Sequence, residues 1–378
     1  MERKIVVEDV ARIVQENKDM IVEMSRKFRM KKEEVEEAKR AIKRSLPESL
    51  WDDLSVHSIT MSLFTTQEIK NFCRPPISHF HATSISEDEE GGWAMGVNVE
   101  FEGLPLNASI HAEQFSISNL YMHGGTKLVR ISTSPAPCGH CRQFMNECNG
   151  REDLIVQISS FSSESNGTLS ISILSLFDLL PFNFSPKDLG CNELLLQPLS
   201  SLSDPEINSF SLLSSSSSSS SDGSEKKKTK KIDDWIKDTI DRRRQERREE
   251  DSESESESES EEEEREKLKE MIKEGKEKMR KSYSPHTKSP SVVLIKANDG
   301  EIFHGVYMEN SAYNPSLSPF HVAISQFVTS HRPFSDIRFV LLLDFSFSPV
   351  SHVDFSFSVL RSISPSAFFS VCHLDLLE

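Results

Sequence analysis

The sequence contains no run of 18 apolar residues, which excludes a membrane-spanning helix from the expected architecture. The Phe- and Leu-rich C-terminal region is broken by Asp344, Pro349, Asp354 and Arg361 and reads as core strands. Only six cysteines occur in 378 residues: Cys73, Cys138, Cys141, Cys148, Cys191 and Cys372. Apart from one closely spaced pair they are scattered, which argues against a disulfide-stapled secreted protein and for a reducing compartment. The opening residues are charged and mixed rather than basic and then apolar, so no secretory leader is expected. The sequons at Asn107 and Asn166 are then expected to be idle. The expectation is a soluble, cytoplasmic protein that does not bind membranes.

Dense basic clusters are also missing from most of the chain. The net charge is −16, dominated by one late acidic run, which argues against a surface that tracks nucleic acid. Two dense clusters, Lys226–Lys231 and Arg242–Arg244, lie in a segment of unusual composition. There eight serines (Ser214–Ser221), the lysine cluster and a Ser-Glu repeat from Ser252 to Ser260 leave few apolar groups to offset chain entropy. Residues 205–281 therefore read as a mostly disordered tether, with transient helix around Trp235 and Leu268. The lysine cluster offers an alternative role in nuclear access.

One stretch concentrates chemistry. It runs His111-Ala112-Glu113-Gln114 and, after a gap, Pro137-Cys138-Gly139-His140-Cys141-Arg142-Gln143. One imidazole (His111) and two thiolates (Cys138, Cys141) supply three zinc ligands and leave a fourth position for water. Zinc lowers the pKa of such a water towards ~7. Glu113, two residues from His111, supplies a carboxylate that can take that water's proton. Apolar spacing after each half (Phe115, Ile117, Leu120; Phe144, Met145, Cys148) predicts two helices, whose N-termini favour thiolates. A closed zinc knuckle or a pair of free thiols is the alternative, and the upstream His-x-Glu argues against both.

His-x-Glu followed by Pro-Cys-x-x-Cys is the signature of zinc-dependent deaminases. Around it, Ser78-His79-Phe80, Gly96-Val97-Asn98-Val99-Glu100-Phe101 and Phe184-Ser185-Pro186-Lys187-Asp188-Leu189 occur in the order seen in cytidine deaminases. The chain resembles the two-domain, homodimeric form of that family, strongly over 75–200 and more weakly over 283–378. The resemblance implies Zn2+ and a nucleoside substrate, cytidine or deoxycytidine, in pyrimidine salvage. It implies that Asn98 and Glu100 hold the ribose, that Phe80 and Phe184 pack on the base, and that the Ala112 N–H meets the pyrimidine carbonyl. Arg142 is expected to offset thiolate charge. Where the family has a small Val-Gly-Ala step, this chain has Ala82-Thr83-Ser84, a departure that bears on pocket fit.

An internal echo completes the reading. Gly305-Val306-Tyr307-Met308-Glu309 aligns with Gly96–Glu100 at a displacement of 209 positions, which sets Phe320, His321 and Val322 opposite His111, Ala112 and Glu113. The second copy has lost its ligands. In the family a loop after this point reaches the partner's active site, so Ala312 and Tyr313 become candidates to touch the substrate of a second subunit.

The expected fold is α/β: a three-layer α/β/α sandwich around a mixed sheet, duplicated. Four parts are expected: a helical region at 1–72, a catalytic domain at 73–204, the tether at 205–281 and a pseudo-domain at 282–378. A nucleotide or polynucleotide deaminase with the same zinc site, and a silent scaffold regulated through the Ser/Glu tether, remain as rivals.

Overall fold

A computed structural model describes residues 3–162, 167–197, 233–245 and 260–374. By their contacts these fall into two units. The first holds 3–162, 167–197, 309–317 and 325–332; the second holds 233–245, 260–308, 318–324 and 333–374. The serine run, the Lys226–Lys231 cluster and the Ser-Glu repeat before Ser260 lie outside the described residues.

The first unit begins with strand β1 (Arg3–Glu8), then helices α1 (Val10–Glu16) and α2 (Lys18–Arg26), strand β2 (Arg29–Met30) and helices α3 (Lys32–Ser45) and α4 (Asp53–Thr66). Strands β3 (Thr83–Asp88) and β4 (Trp93–Val97) precede helix α5 (Ala112–Met122), and β5 (Leu128–Ser134) precedes helix α6 (Gly139–Met145). Strands β6 (Ile155–Ser162) and β7 (Thr168–Ser175) and a single turn, α7 (Leu176–Leu179), follow. The seven strands form one sheet in the order β1-β7-β6-β5-β3-β4-β2, parallel between β5 and β6 and antiparallel elsewhere.

Successive side chains on a strand face opposite sides, and β3 shows which helix covers which. Thr83 donates its hydroxyl to the Thr65 carbonyl of α4, while Ser84 and Ser86 meet Ser116 of α5 at 3.1 and 2.8 Å. So α4 lies on one face and α5 on the other, and the sheet is the middle layer. Both interfaces are hydroxyl-rich: on the α4 side Gln157 donates to the Ser58 carbonyl at 2.9 Å and to Ser62 at 2.7 Å, and Thr65 meets Ser132 at 3.0 Å.

The N-terminal reading needs correction at 1–72. Residues 3–8 are a strand, not helix, and α4 packs directly on the sheet, so no unit boundary falls at 72/73. Ile5 and Val7 are buried whereas Val6 is exposed, a period of two. Three residues of alternation are too short a run to stand apart from the helical spacing that follows.

The second unit opens with α8 (residues 233–245) and α9 (Glu261–Met279), followed by strands β8 (Val292–Ala297) and β9 (Ile302–Val306) and helix α10 (Pro319–Thr329). Strand β10 (Ile337–Asp344), helix α11 (Val353–Ile363) and strand β11 (Phe368–His373) complete it. Its sheet runs β11-β10-β8-β9, with β10 and β11 parallel. Strands β8 and β9 stand 209 positions after β3 and β4 at both ends, and α9 overlaps the position of α4 shifted likewise. The repeat therefore starts upstream of residue 282.

That corrects the tether. Trp235 donates its indole N–H to the Val371 carbonyl at 3.0 Å, with Ile236 and Ile240 buried beside it. In α9, Leu268, Met271, Ile272, Gly275 and Met279 form a buried stripe at helical spacing, and a Cβ on Gly275 would overlap Leu343 and Leu294. High overall charge masked a narrow apolar face. Ser260 caps α9, accepting from the Glu263 N–H at 3.3 Å. A solvated tether would tolerate Ile272→Ala without loss, whereas a core helix should lose about 2–5 kcal/mol. Chemical denaturation of the full chain, read on the second unit, checks this.

Candidate active site

Two loop-to-helix junctions build the site. His111 is the N-cap of α5, in extended conformation, and Cys138 is the N-cap of α6, with Cys141 in that helix's first turn. Gly96 of β4 lets α5 approach this closely: a Cβ there would collide with the Ala112 carbonyl and the Ser116 nitrogen. Gly305 does the same for α10 in the second unit.

The His111 Nδ1 lies 3.5 Å from the Cys138 sulfur and 3.4 Å from that of Cys141, and the sulfurs are 3.8 Å apart. Tetrahedral zinc with Zn–S of about 2.3 Å and Zn–N of about 2.0 Å needs sulfurs about 3.7–3.8 Å apart and sulfur to nitrogen about 3.5 Å. The donors and their spacing thus fit the ion. Among the described residues this is the one cluster of three such side chains.

The electrostatics match that crowding. Hydrogen bonding from Cys141, helped by His111 against the cost of burial, pulls the Cys138 thiol down to about 3. Burial and the neighbouring thiolate hold Cys141 well above its ordinary value. Glu113, 7% exposed in the first turn of α5, has its carboxyl pushed up by burial, partly offset by its own backbone N–H and Cys141. A buried carboxyl with a raised pKa is suited to taking up a proton.

A cavity of about 420 Å³ opens onto these groups. His111, Ala112, Glu113 and Cys138 line one side, and Phe80, Asn98 and Glu100 another. Cys141 sits buried behind. Of the positions anticipated for substrate, Phe184, Ala312 and Tyr313 are not among the lining residues. Phe184 is 44% exposed and offers only its carbonyl to Gln143 and Asn146, at 2.6 and 2.8 Å, while Tyr313 is 65% exposed. Arg142 binds the Pro137 and Leu179 carbonyls, at 2.8 and 2.9 Å, so its hydrogen bonds fix the chain before Cys138. Thr83 borders the cavity, and its hydroxyl donates to the Thr65 carbonyl of α4.

Sequence reasoning missed how Asn98 and Glu100 work locally. Asn98 accepts from the Ala82 N–H at 3.0 Å and donates to the Phe80 carbonyl at 2.8 Å. Glu100 accepts from the Ile77 and Ser78 N–H groups, at 3.1 and 2.9 Å, and from the Ser78 hydroxyl. Together they clamp the loop that carries Phe80. Burial alone would raise the Glu100 carboxyl, but the Ser78 and Ile77 donors outweigh it and hold it below its usual value. Leu106, Ser109, Ile110 and Ser134–Ala136 also line the cavity, and nothing in their local sequence announced it.

A family model for the cytidine and deoxycytidylate deaminase zinc-binding region matches residues 61–157, and a second with the same description matches 176–356. A curated cytidine deaminase of Shewanella sp. (strain W3-18-1) is 29% identical over 77% of this chain and 75% of its own. That of Vibrio vulnificus is 26% identical over 77% and 75%. The chain belongs to the cytidine deaminase family. A solved cytidine deaminase from Mycobacterium leprae, 27% identical, covers 30% of this chain and 87% of its own at a TM-score of 0.24, a partial overlay that adds nothing to the assignment. Zinc is the family's metal, and no helix among the described residues is long and apolar enough to cross a membrane.

Because its folded-state pKa is lowered, Glu100 contributes stability that is present above its unfolded pKa and lost as pH falls through the folded value. Ser78→Ala removes one charge-assisted bond, typically worth about 1.5–3 kcal/mol. Stability near neutral pH should drop and its dependence on acid pH should flatten. Unfolding midpoints measured from pH 7 downward for parent and variant provide the check.

Proposed function

We propose that this chain catalyses hydrolytic deamination of cytidine and deoxycytidine to uridine or deoxyuridine and ammonia, using zinc at His111, Cys138 and Cys141. The observation that carries this is the tetrahedral spacing of those three ligand atoms at a cavity that Glu113 also lines. Zinc held there supplies Lewis acidity that brings the pKa of water towards ~7. Glu113 takes a proton from the attacking water, delivers it to N3 of the ring, and passes the second to the departing amino group. Oxygen ends on C4, the C4–N bond breaks, one water proton stays on N3 and the other leaves with ammonia.

Asn98 and Glu100 hold the ribose, Phe80 packs on the pyrimidine, and the Ala112 N–H at the start of α5 meets its carbonyl. A carboxylate offers about four acceptor positions. Glu100 uses three on Ser78 and Ile77, which leaves one for a ribose hydroxyl. No Lys or Arg lines the cavity, and an ionised Glu100 repels phosphate, so a nucleoside is favoured over a nucleotide or polynucleotide. The assigned role is pyrimidine salvage in the cytoplasm.

The unit in solution is taken to be a homodimer. Its support is that Phe80 and Leu106 stand at the cavity rim 57% and 59% exposed, while Ala312 and Tyr313 lie away from their own cavity. In a two-fold pair each loop would serve the other subunit's nucleoside.

Glu113→Ala should keep one zinc per chain while turnover falls by about 10²–10⁴-fold or more. Metal analysis beside an ammonia-release assay decides this, and loss of zinc with activity would make Glu113 a ligand instead. For the dimer, mixing inactive Glu113→Ala and Tyr313→Ala chains under subunit exchange should restore part of the parental activity. No recovery, with exchange verified by mass, would remove Tyr313 from the partner's site.

A further inference from the structure

We propose that two stretches of C-terminal sequence, 309–317 and 325–332, brace the metal site of their own chain, making Asn310 a positioning residue for the helices that carry the ligands. The two stretches flank the first part of α10 in sequence, and both pack within the first unit. Asn310 donates its side-chain N–H to the Gln143 carbonyl at 3.0 Å, two residues beyond Cys141 on α6. The Ser311 backbone N–H donates to Glu147, a fully buried carboxylate just past the end of α6, at 2.9 Å. Gln114, the residue after Glu113 on α5, donates to the Pro315 carbonyl at 2.8 Å. One short loop therefore ties α5 to α6 directly behind the atoms whose spacing zinc requires.

The second stretch reaches the other side of the cavity. The Arg332 carbonyl accepts from the Arg74 guanidinium at 2.8 Å. Arg74 in turn pairs through its backbone with the Asn98 carbonyl and the Glu100 N–H, at 3.0 and 2.9 Å. His331 meets the Arg26 carbonyl at 2.7 Å and packs its ring against Phe72. Both halves of the site are thus held from behind by sequence that carries no ligand. Groups that orient metal ligands from outside commonly change metal affinity by about 10–100-fold when removed.

The brace rests on the zinc reading only for its metal measurement, so the test has two arms. Asn310→Asp keeps the acceptor for the Ala312 N–H at 3.0 Å and the backbone bond to Ser316 at 2.9 Å, but it abolishes the donor to Gln143. Val7→Ala, at a buried position on β1, serves as the control for general loss of stability. Well below the melting temperature, zinc loss to a chromogenic chelator should be about 10–100-fold faster in Asn310→Asp and in Gln114→Ala than in the parent. Val7→Ala should match the parent. In metal-free protein, amide exchange across α5 and α6 should also quicken in both brace variants. Parental zinc loss and parental exchange in these variants would overturn the brace. A parent chain that holds no zinc would sink the metal reading, leaving the exchange arm to decide the brace.

Discussion

Three ligand atoms must stand 3.4 to 3.8 Å apart without a covalent link between the segments that carry them. That requirement governs the first unit. The atoms come from the N-caps of α5 and α6 and the first turn of α6, so the relative setting of two helices has to be fixed to a few tenths of an ångström. Absence of a side chain at Gly96 brings α5 against the sheet, and serine pairs rather than bulky apolar groups fill the narrow space between them. The two thiols cannot both ionise unaided: Cys138 gives up its proton readily, and Cys141 beside it then refuses. A divalent cation at the trio removes that conflict, and metal binding and proton release are linked for this reason.

The second unit repeats the frame without that constraint. Gly305 meets α10 as Gly96 meets α5, and α9 covers its sheet as α4 covers the first. Phe320 and Val322 replace His111 and Glu113 and are wholly buried, so apolar packing occupies the position where the first unit keeps polar chemistry. Tyr307, opposite Asn98, packs its ring 4.5 Å from that of His352. Packing of a helix on a sheet and placement of ligands are thus separable features of one frame. The frame asks for a small residue at a fixed strand position, and the ligands ask for helix starts free of bulky apolar groups.

The trio, Glu113 and the two motif helices were legible in the sequence because that chemistry is written in short, contiguous spacings. Gly305 was legible too, as an echo of Gly96. Strand β1 was not, because an alternation of three residues does not stand apart from the longer helical spacing that follows. Helices α8 and α9 were hidden for a different reason. A helix needs only a narrow apolar stripe to pack, and Leu268, Met271 and Ile272 supply it amid a composition that otherwise signals a solvated chain. The clamp on the Phe80 loop was out of reach because Asn98 and Glu100 bond to backbone groups some twenty residues away, a relation that no local pattern encodes.

That clamp bears on selectivity. Glu100 is one carboxylate with two obligations: it holds the Ser78 loop, and it presents a negative charge to the cavity. The first obligation enforces the second, since donors from Ser78 and Ile77 keep the group ionised. On the proposed reading, a ligand with neutral hydroxyls can use the remaining acceptor position, whereas one bearing a phosphate meets repulsion that no Lys or Arg of the cavity lining offsets. Protonating Glu100 would relieve the repulsion only by weakening the loop that carries Phe80. Charge selection and loop order are therefore coupled through one side chain, and relaxing the first costs the second.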